Sequence, residues 1–342
     1  MKRKKTTKPY LTLIAVCLLA AVGTGVYYFA SSFSSQDKTS YVYIDQDDTL
    51  DSICQKLEPM ATQHGLTALR TLMRHTGYEQ QIRTGRYEIS ASESPITLFR
   101  RLKNGQQSPI MLTIPEARTM TRLAALLGQK LMVDSADIAD ALTDPAVCQQ
   151  MGYDTATIAC MFVPNTYEVF WNVSTEKLLQ RMGKEHDAFW TSQRLAKADA
   201  IGLTANEVAT LASIIDEETA NNQEKPMIAG MYLNRLKANM PLQADPTVKF
   251  ALKDFGLRRI YRNMLLTDSP WNTYKNIGLP PGPIKVASIK GIDAVLNRVE
   301  HNYLYMCAKE DFSGTHNFAA TYQEHLQNAA RYSKALNERG IK

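Results

Sequence analysis

Three carboxylates stand in a row at Asp216, Glu217 and Glu218, directly after the apolar run LASII at 211–215. A carboxyl group can give a proton to a leaving oxygen and take one from an attacking hydroxyl if its pKa lies near the working pH. Where each group points decides which can do this. Thr204 and Glu207 form a T-x-x-E capping box, with Leu203 and Val208 as its hydrophobic staple, so a helix starts at Thr204. Counted from that start, Val208, Leu211, Ile214 and Ile215 share one face, and Glu218 continues it. Asp216 and Glu217 lie roughly 200° and 100° away, at about 100° per residue, and are expected to face water. Acids at a helix C-terminus oppose the helix dipole, whereas a Glu on an apolar face is desolvated and its pKa rises. Position alone leaves Glu218 open to two readings, a proton donor for a glycosidic or similar oxygen and a structural hydrogen-bonded side chain.

The elements around this helix must come from the rest of the 342 residues, enough for two domains. Five of the 39 basic residues precede the first acid, Asp37, which leaves 34 basic against 34 acidic residues in the remainder. The folded part is therefore neutral, and a nucleic-acid partner, which needs a basic face, is not expected. After the basic tail at 1–10, residues 11–30 run about 20 positions without a charge, the length of a membrane span. A cleaved signal peptide competes with this reading, but its apolar region is usually about 7 to 15 residues. The aromatic trio Tyr27, Tyr28 and Phe29 suits an interfacial belt, and the basic end is expected in the cytoplasm with the rest outside. The localisation expected is the cytoplasmic membrane, single-pass.

The Ser-rich stretch 31–40 reads as a polar linker. From 41 to 115 strands and helices alternate: YVYI, then GRYEIS, then a helix from Ser94 to Gly105, then PIMLTIPEA. From 116 to 342 the pattern is mainly helical, broken at Pro164 and Asn165 and again by a long Pro-, Gly- and Asn-containing segment from Met240 to Pro283. The fold class implied is α+β, with an N-terminal transmembrane helix, a small α+β module and a mixed, mainly helical domain. The five cysteines show no CxxC and no Cys/His metal pattern and read as isolated thiols. No metal, nucleotide or redox cofactor is implied.

The motifs LASIIDEET, MYLNRLKANMPLQADPTVKFAL, SPWNTYKNIGLPPGPI and GTHNFAATYQEH resemble, in order and spacing, the YceG-like family of endolytic murein transglycosylases. The resemblance covers 201–330; upstream, GRYEIS with FRRLKNG is similar to that family's LysM-like subdomain, placed at 41–115, ahead of a catalytic domain at 116–342. It implies a membrane-anchored enzyme that cuts nascent peptidoglycan strands between N-acetylmuramic acid and N-acetylglucosamine, leaves 1,6-anhydro ends and so terminates strand elongation. Its partners would be glycan strands, the cytoplasmic membrane and peptidoglycan synthases, and its catalytic Glu falls on Glu218. One carboxylate suffices for such a cut, because the substrate's own C6 hydroxyl attacks where ordinary glycosidases need a second group for water or for the sugar carbon.

The matching motifs offer Asn234, Gln243, Asp245, Thr247, Asn272 and Tyr274 as substrate-binding candidates, each with a structural alternative in turn chemistry. Arg235 is open to an ion pair or a substrate contact, and His316 to a satisfied hairpin role. The Pro-rich GLPPGPI reads as a rigid cleft wall. Asn165 and Asp216 depart from the family's usual Asp and Glu. Two other functions stay open from the residues: a muramidase-type hydrolase pairing Glu218 with Asp245, and a non-catalytic glycan-binding scaffold.

Overall fold

In the computed structural model of the chain, residues 9–257 and 259–340 are described. The basic residues of the tail from Lys2 to Lys8 lie outside them. The first element, α1 (Pro9–Ala30), is a helix long and apolar enough to cross a membrane, with a mean hydropathy of 2.0 and no burial in its most apolar window.

Two compact units follow from the chain's contacts. The first takes the residues up to 111 together with Glu168–Val173. In it β1 (Ser40–Ile44), α2 (Leu50–Leu57), α3 (Gln63–His75), β2 (Gly85–Ile89) and α4 (Pro95–Asn104) enclose one core. The strands are antiparallel, with Val42 opposite Tyr87, and their alternation sends Val42, Ile44, Tyr87 and Ile89 inward. Ser94 caps α4, and Gly105 ends it in the left-handed conformation, as the sequence predicts. The stretch 31–40 is not a free linker. Phe33 is fully buried, its amide donates to the Glu93 carbonyl at 2.6 Å, and its carbonyl accepts from Thr62 at 2.7 Å. One aromatic residue in a Ser-rich run is enough to bring the segment into the core.

The second unit comprises Leu112–Tyr167 and residues from Ser174 onward. The chain passes between the units along β3 (Ile110–Thr113) and β4 (Thr166–Val169), separated by α5 (Met120–Gly128), α6 (Ser135–Thr143) and α7 (Pro145–Gln150). Asn165 is exposed, and its side-chain oxygen accepts the Thr166 amide at 2.8 Å. Then come α8 (Thr175–Phe189), α9 (Ser192–Ala200), α10 (Ala205–Glu218), α11 (Lys225–Lys237), α12 (Asp245–Leu252) and α13 (Ile289–Leu296). The unit closes with the hairpin of β5 (Tyr305–Ala308) and β6 (His316–Ala319), and with α14 (Tyr322–Glu338). The helix α12 lies inside the segment that reads as irregular in the sequence. Its Pro246 falls in the first turn, where a missing amide costs nothing. All five cysteines are free thiols, and those at 54, 148 and 160 are buried.

The capping box predicted at Thr204 and Glu207 is formed. The helix it starts is not amphipathic, because every residue from Val208 to Ile215 is buried. Such a helix has neighbours on all sides, and this overturns the expectation that Asp216 and Glu217 face water. The Asp216 side chain is 1% exposed and pairs with Lys225 at 2.7 Å, itself 7% exposed. It also accepts from the Ser288 hydroxyl at 2.8 Å and the Ser288 amide at 2.7 Å. Ser288 caps α13, so the carboxylate lies where the helix dipole favours negative charge. Only glycine fits at 291, where a Cβ would come within 2.5 Å of Asp216. Glu217 accepts three bonds from the Arg118 guanidinium, two from Nε and one from Nη2 at 2.7 Å, and lies 3.6 Å from Lys285.

Removing one partner of a buried ion pair leaves the other charge unpaired, at a cost of about 3–5 kcal/mol. Asp216→Ala is expected to lose that much stability in urea unfolding of the full chain in detergent, and Lys225→Met less. A loss in Asp216→Ala below about 1 kcal/mol, the range of exposed pairs, would show that the pair is not buried in solution.

Candidate active site

The last residue of α10, Glu218, opens into a cleft of about 230 Å³. Each wall comes from a different element. Tyr232 and Arg235 project from α11, Gln243 from the loop into α12, Asp245 from the first turn of α12, Tyr274 from the segment after it, and Cys307 and His316 from the hairpin.

Among the described residues the Glu218 carboxyl has one hydrogen-bond partner, the Tyr232 hydroxyl, which donates to its Oε1 at 2.8 Å. Burial pushes the Glu218 pKa up to about 7 from its ordinary 4.5. The Tyr232 bond pulls it down, the charge of Asp245 pushes it up, and His316 and Lys249 pull it down. Tyr232 is itself buried and lies beside Glu218, so its phenol is held well above its usual range and stays a donor. Nothing in the sequence periodicity singles out Tyr232; it is one of six consecutive buried residues in α11.

Arg235 makes no ion pair among the described residues. Its Nε donates to the Leu304 carbonyl at 2.6 Å and its Nη1 to the Leu242 carbonyl at 2.8 Å, which ties the hairpin to the loop before α12. Gln243 takes a left-handed backbone, φ 51°, rare for a residue with a side chain. That strain is held by its amide bond to the Thr273 carbonyl at 3.1 Å.

Of the six binding candidates, Gln243, Asp245 and Tyr274 line the cleft with Glu218. Tyr274 donates to Asp245 Oδ1 at 2.6 Å, which fixes both side chains. The other three are not brought there. Asn234 donates to the carbonyls of His301 at 2.7 Å and Tyr303 at 3.0 Å. Thr247 is fully buried, with its hydroxyl 2.9 Å from that of Thr273. Asn272 is fully buried and donates to the carbonyls of Leu265 and Thr267. His316 has a buried acid partner, Glu224, which accepts its backbone amide at 2.6 Å and lies 3.0 Å from its Nδ1. The hairpin role read from the sequence is thus satisfied, but by a side chain that also lines the cleft.

A single carboxyl group tuned to neutrality, beside a locked phenol and a fixed Asp–Tyr pair, is equipped for acid–base chemistry on one bound substrate bond. A mixed α/β fold behind an N-terminal apolar helix carries this site.

The profile of the YceG-like family matches residues 42–331, and the chain belongs to that family. A protein of Bacillus subtilis named endolytic murein transglycosylase is 28% identical, the match covering 75% of this chain and 74% of that one. One of the same name from Streptococcus pneumoniae is 26% identical over 94% of this chain, which spans 64% of its length. The crystal structure of a yceG-like protein from Listeria monocytogenes superposes with a TM-score of 0.57 at 26% identity. That superposition covers 85% of this chain and 99% of the other.

The raised pKa makes stability depend on pH with a definite sign. The Glu218 pKa lies above its unfolded value, so its contribution is complete below about 4.5 and is lost as the pH rises through about 7. Glu218→Gln has nothing to ionise there. Its Tm relative to wild type is expected to climb between about pH 5 and pH 8, and a pH-independent difference would show that the group is solvated. Tyr232→Phe, which removes the bond favouring the carboxylate, should move the Glu218 titration upward, as read by carboxyl carbon NMR.

Proposed function

We propose that the chain is a membrane-anchored lytic transglycosylase acting on nascent, uncrosslinked peptidoglycan strands, with Glu218 as acid and then as base. Protonated Glu218 donates to the oxygen leaving the muramic acid anomeric carbon. The resulting carboxylate then takes the proton from the C6 hydroxyl as that hydroxyl attacks the same carbon. The 1,6-anhydro ring forms, the glycosidic bond breaks, water is not consumed, and Glu218 ends protonated as it began. The observation that carries this reading is a Glu218 pKa near 7, which leaves both protonation states accessible at neutral pH. The names of the relatives from Bacillus subtilis and Streptococcus pneumoniae support the substrate class.

Gln243, Asp245 and Tyr274 are the substrate contacts, since they share the cleft with Glu218. Asp245 and the carboxylate form of Glu218 also provide the negative charge that an oxocarbenium-like transition state requires. The apolar helix α1 anchors the chain, with the basic tail in the cytoplasm and the cleft outside. In the first unit, the order β1–α2–α3–β2 around an antiparallel pair supports a LysM-like glycan-binding module.

The presence of Asp245 in the cleft favours one second reading, a hydrolase in which Asp245 activates water. Mass spectrometry of digests separates the two. Anhydro ends are expected, with Glu218→Gln lowering the rate by about 10²- to 10⁴-fold, the worth of a general acid, and Asp245→Asn slowing it only in part. Reducing ends made with water, together with an inactive Asp245→Asn, would establish the hydrolase instead.

A further inference from the structure

A second and larger cavity, of about 610 Å³, lies in the same unit as the Glu218 cleft. The two share a wall. Asp245, in the first turn of α12, lines the cleft, while Phe250, Ala251 and Lys253, at its other end, line the cavity. A small void of about 30 Å³, lined by Glu217, Lys249 and Arg118, adjoins the cavity through Arg118, Phe250 and Phe255. Glu217 is the residue next to Glu218. Asp245 and Lys253 are eight residues apart, so the two spaces are separated by about 12 Å along the helix axis.

The chemistry of the cavity differs from that of the cleft. Its charged lining residues are Arg118, Lys253 and Lys285, with no carboxylate among them. Arg118 and Lys285 share Glu217, and Lys285 also pairs with Glu116. Lys253 forms no ion pair among the described residues, which leaves the cavity one positive charge in excess, and Lys249, in the adjoining void, forms none either. The apolar part is aromatic, with Phe250 between Phe255 at 6.3 Å and Trp271 at 5.6 Å. A neutral glycan could stack on the rings but would leave the cations unanswered.

We infer that this cavity binds the short carboxylate-bearing peptide that hangs from the muramic acid of an uncrosslinked strand, while the sugar lies against Glu218. The inference rests on the transglycosylase reading. Muramic acid carries its peptide on the lactyl group, and an extended chain spans about 3.3–3.6 Å per residue. Three to five residues then reach about 10–18 Å, enough to follow α12 from the cleft into the cavity. A free carboxylate of the peptide meets Lys253 there, with Lys249 in the adjoining void, and its side chains meet the aromatic wall. Crosslinking consumes the peptide's end and adds a second strand, so the same cavity would favour uncrosslinked substrate.

The test uses the full chain in detergent on two substrates, uncrosslinked strands with peptides and the same strands stripped by an amidase. Wild type should have the lower KM on peptide-bearing strands. Lys253→Glu, at an exposed position, should raise that KM about three- to tenfold, the scale of one or two partly exposed charge pairs, and leave the stripped strands unchanged. Thr143→Trp, which adds bulk to the cavity lining from an exposed site, should do the same. Equal wild-type KM values on both substrates would overturn the inference alone, as would variants that slow both substrates equally, which would assign the cavity to sugars. No anhydro product from either substrate would overturn the transglycosylase reading and the peptide site with it.

Discussion

The buried ion pair of Asp216 and Lys225 fixes how α10 is turned, and the cleft follows from that rotation. A carboxylate this deep is tolerated only when its desolvation is answered in full. Here one oxygen takes Lys225 and the Ser288 hydroxyl, and the other takes the Ser288 amide. Those bonds join α10 to α11 and to the start of α13. With Asp216 held, Glu217 must point about 100° further round and Glu218 about 200°, which places the one against Arg118 and the other under Tyr232. A rotation that lost the Asp216 bonds would carry Glu218 out of the cleft, so the residue that never meets a substrate sets the position of the one proposed to do so.

Electrostatic balance at Glu218 depends on the same rigidity. Desolvation and Asp245 oppose ionisation, while Tyr232, His316 and Lys249 favour it. Each of the nearer influences is pinned: Tyr232 by a fully buried ring, Asp245 by Tyr274, and His316 by Glu224. Donors and charges that do not reorient during a reaction need no reorganisation energy when charge develops, which is the advantage of a preorganised site over water. Glu224 also precedes the first residue of α11, so the helix that delivers Tyr232 starts where the hairpin histidine is tied down.

Much of this was legible in the sequence because it is local. The Thr204 cap and the start of α4 at Ser94 depend on residues within one or two turns. What the sequence could not show depends on distant partners. Asp216 is satisfied by a serine 72 residues away and Glu217 by an arginine 99 residues away. A periodicity argument assumes that one helix face meets solvent, and α10 has no such face. The helix α12 is masked in the sequence because Pro246 punctuates it, yet proline in a first turn starts a helix as readily as it ends one. Phe33 shows the same limit, since one ring outweighed the composition around it.

Polar residues of the densest motifs divide between surface and scaffold in a way that chemistry explains. In LQADPTV, Gln243 and Asp245 line the cleft, whereas Thr247 turns inward to the Thr273 hydroxyl. In WNTY, Tyr274 lines the cleft, whereas Asn272 and Thr273 are buried beneath it. A buried hydroxyl or amide must find a partner or pay a desolvation cost of about 1–3 kcal/mol, so Thr247 and Thr273 specify each other across the two segments, and Asn272 specifies the carbonyls of Leu265 and Thr267 in its own. The Ala244 amide donates to Thr273, the Gln243 amide to the Thr273 carbonyl, and the Tyr274 amide to Asn272. These bonds tie the start of α12 to the irregular segment around Thr273 and so hold a strained Gln243 and an Asp–Tyr pair in place. The motif is therefore as much a record of loop-to-loop satisfaction as of substrate contact, and side chains that never reach the cleft determine its shape.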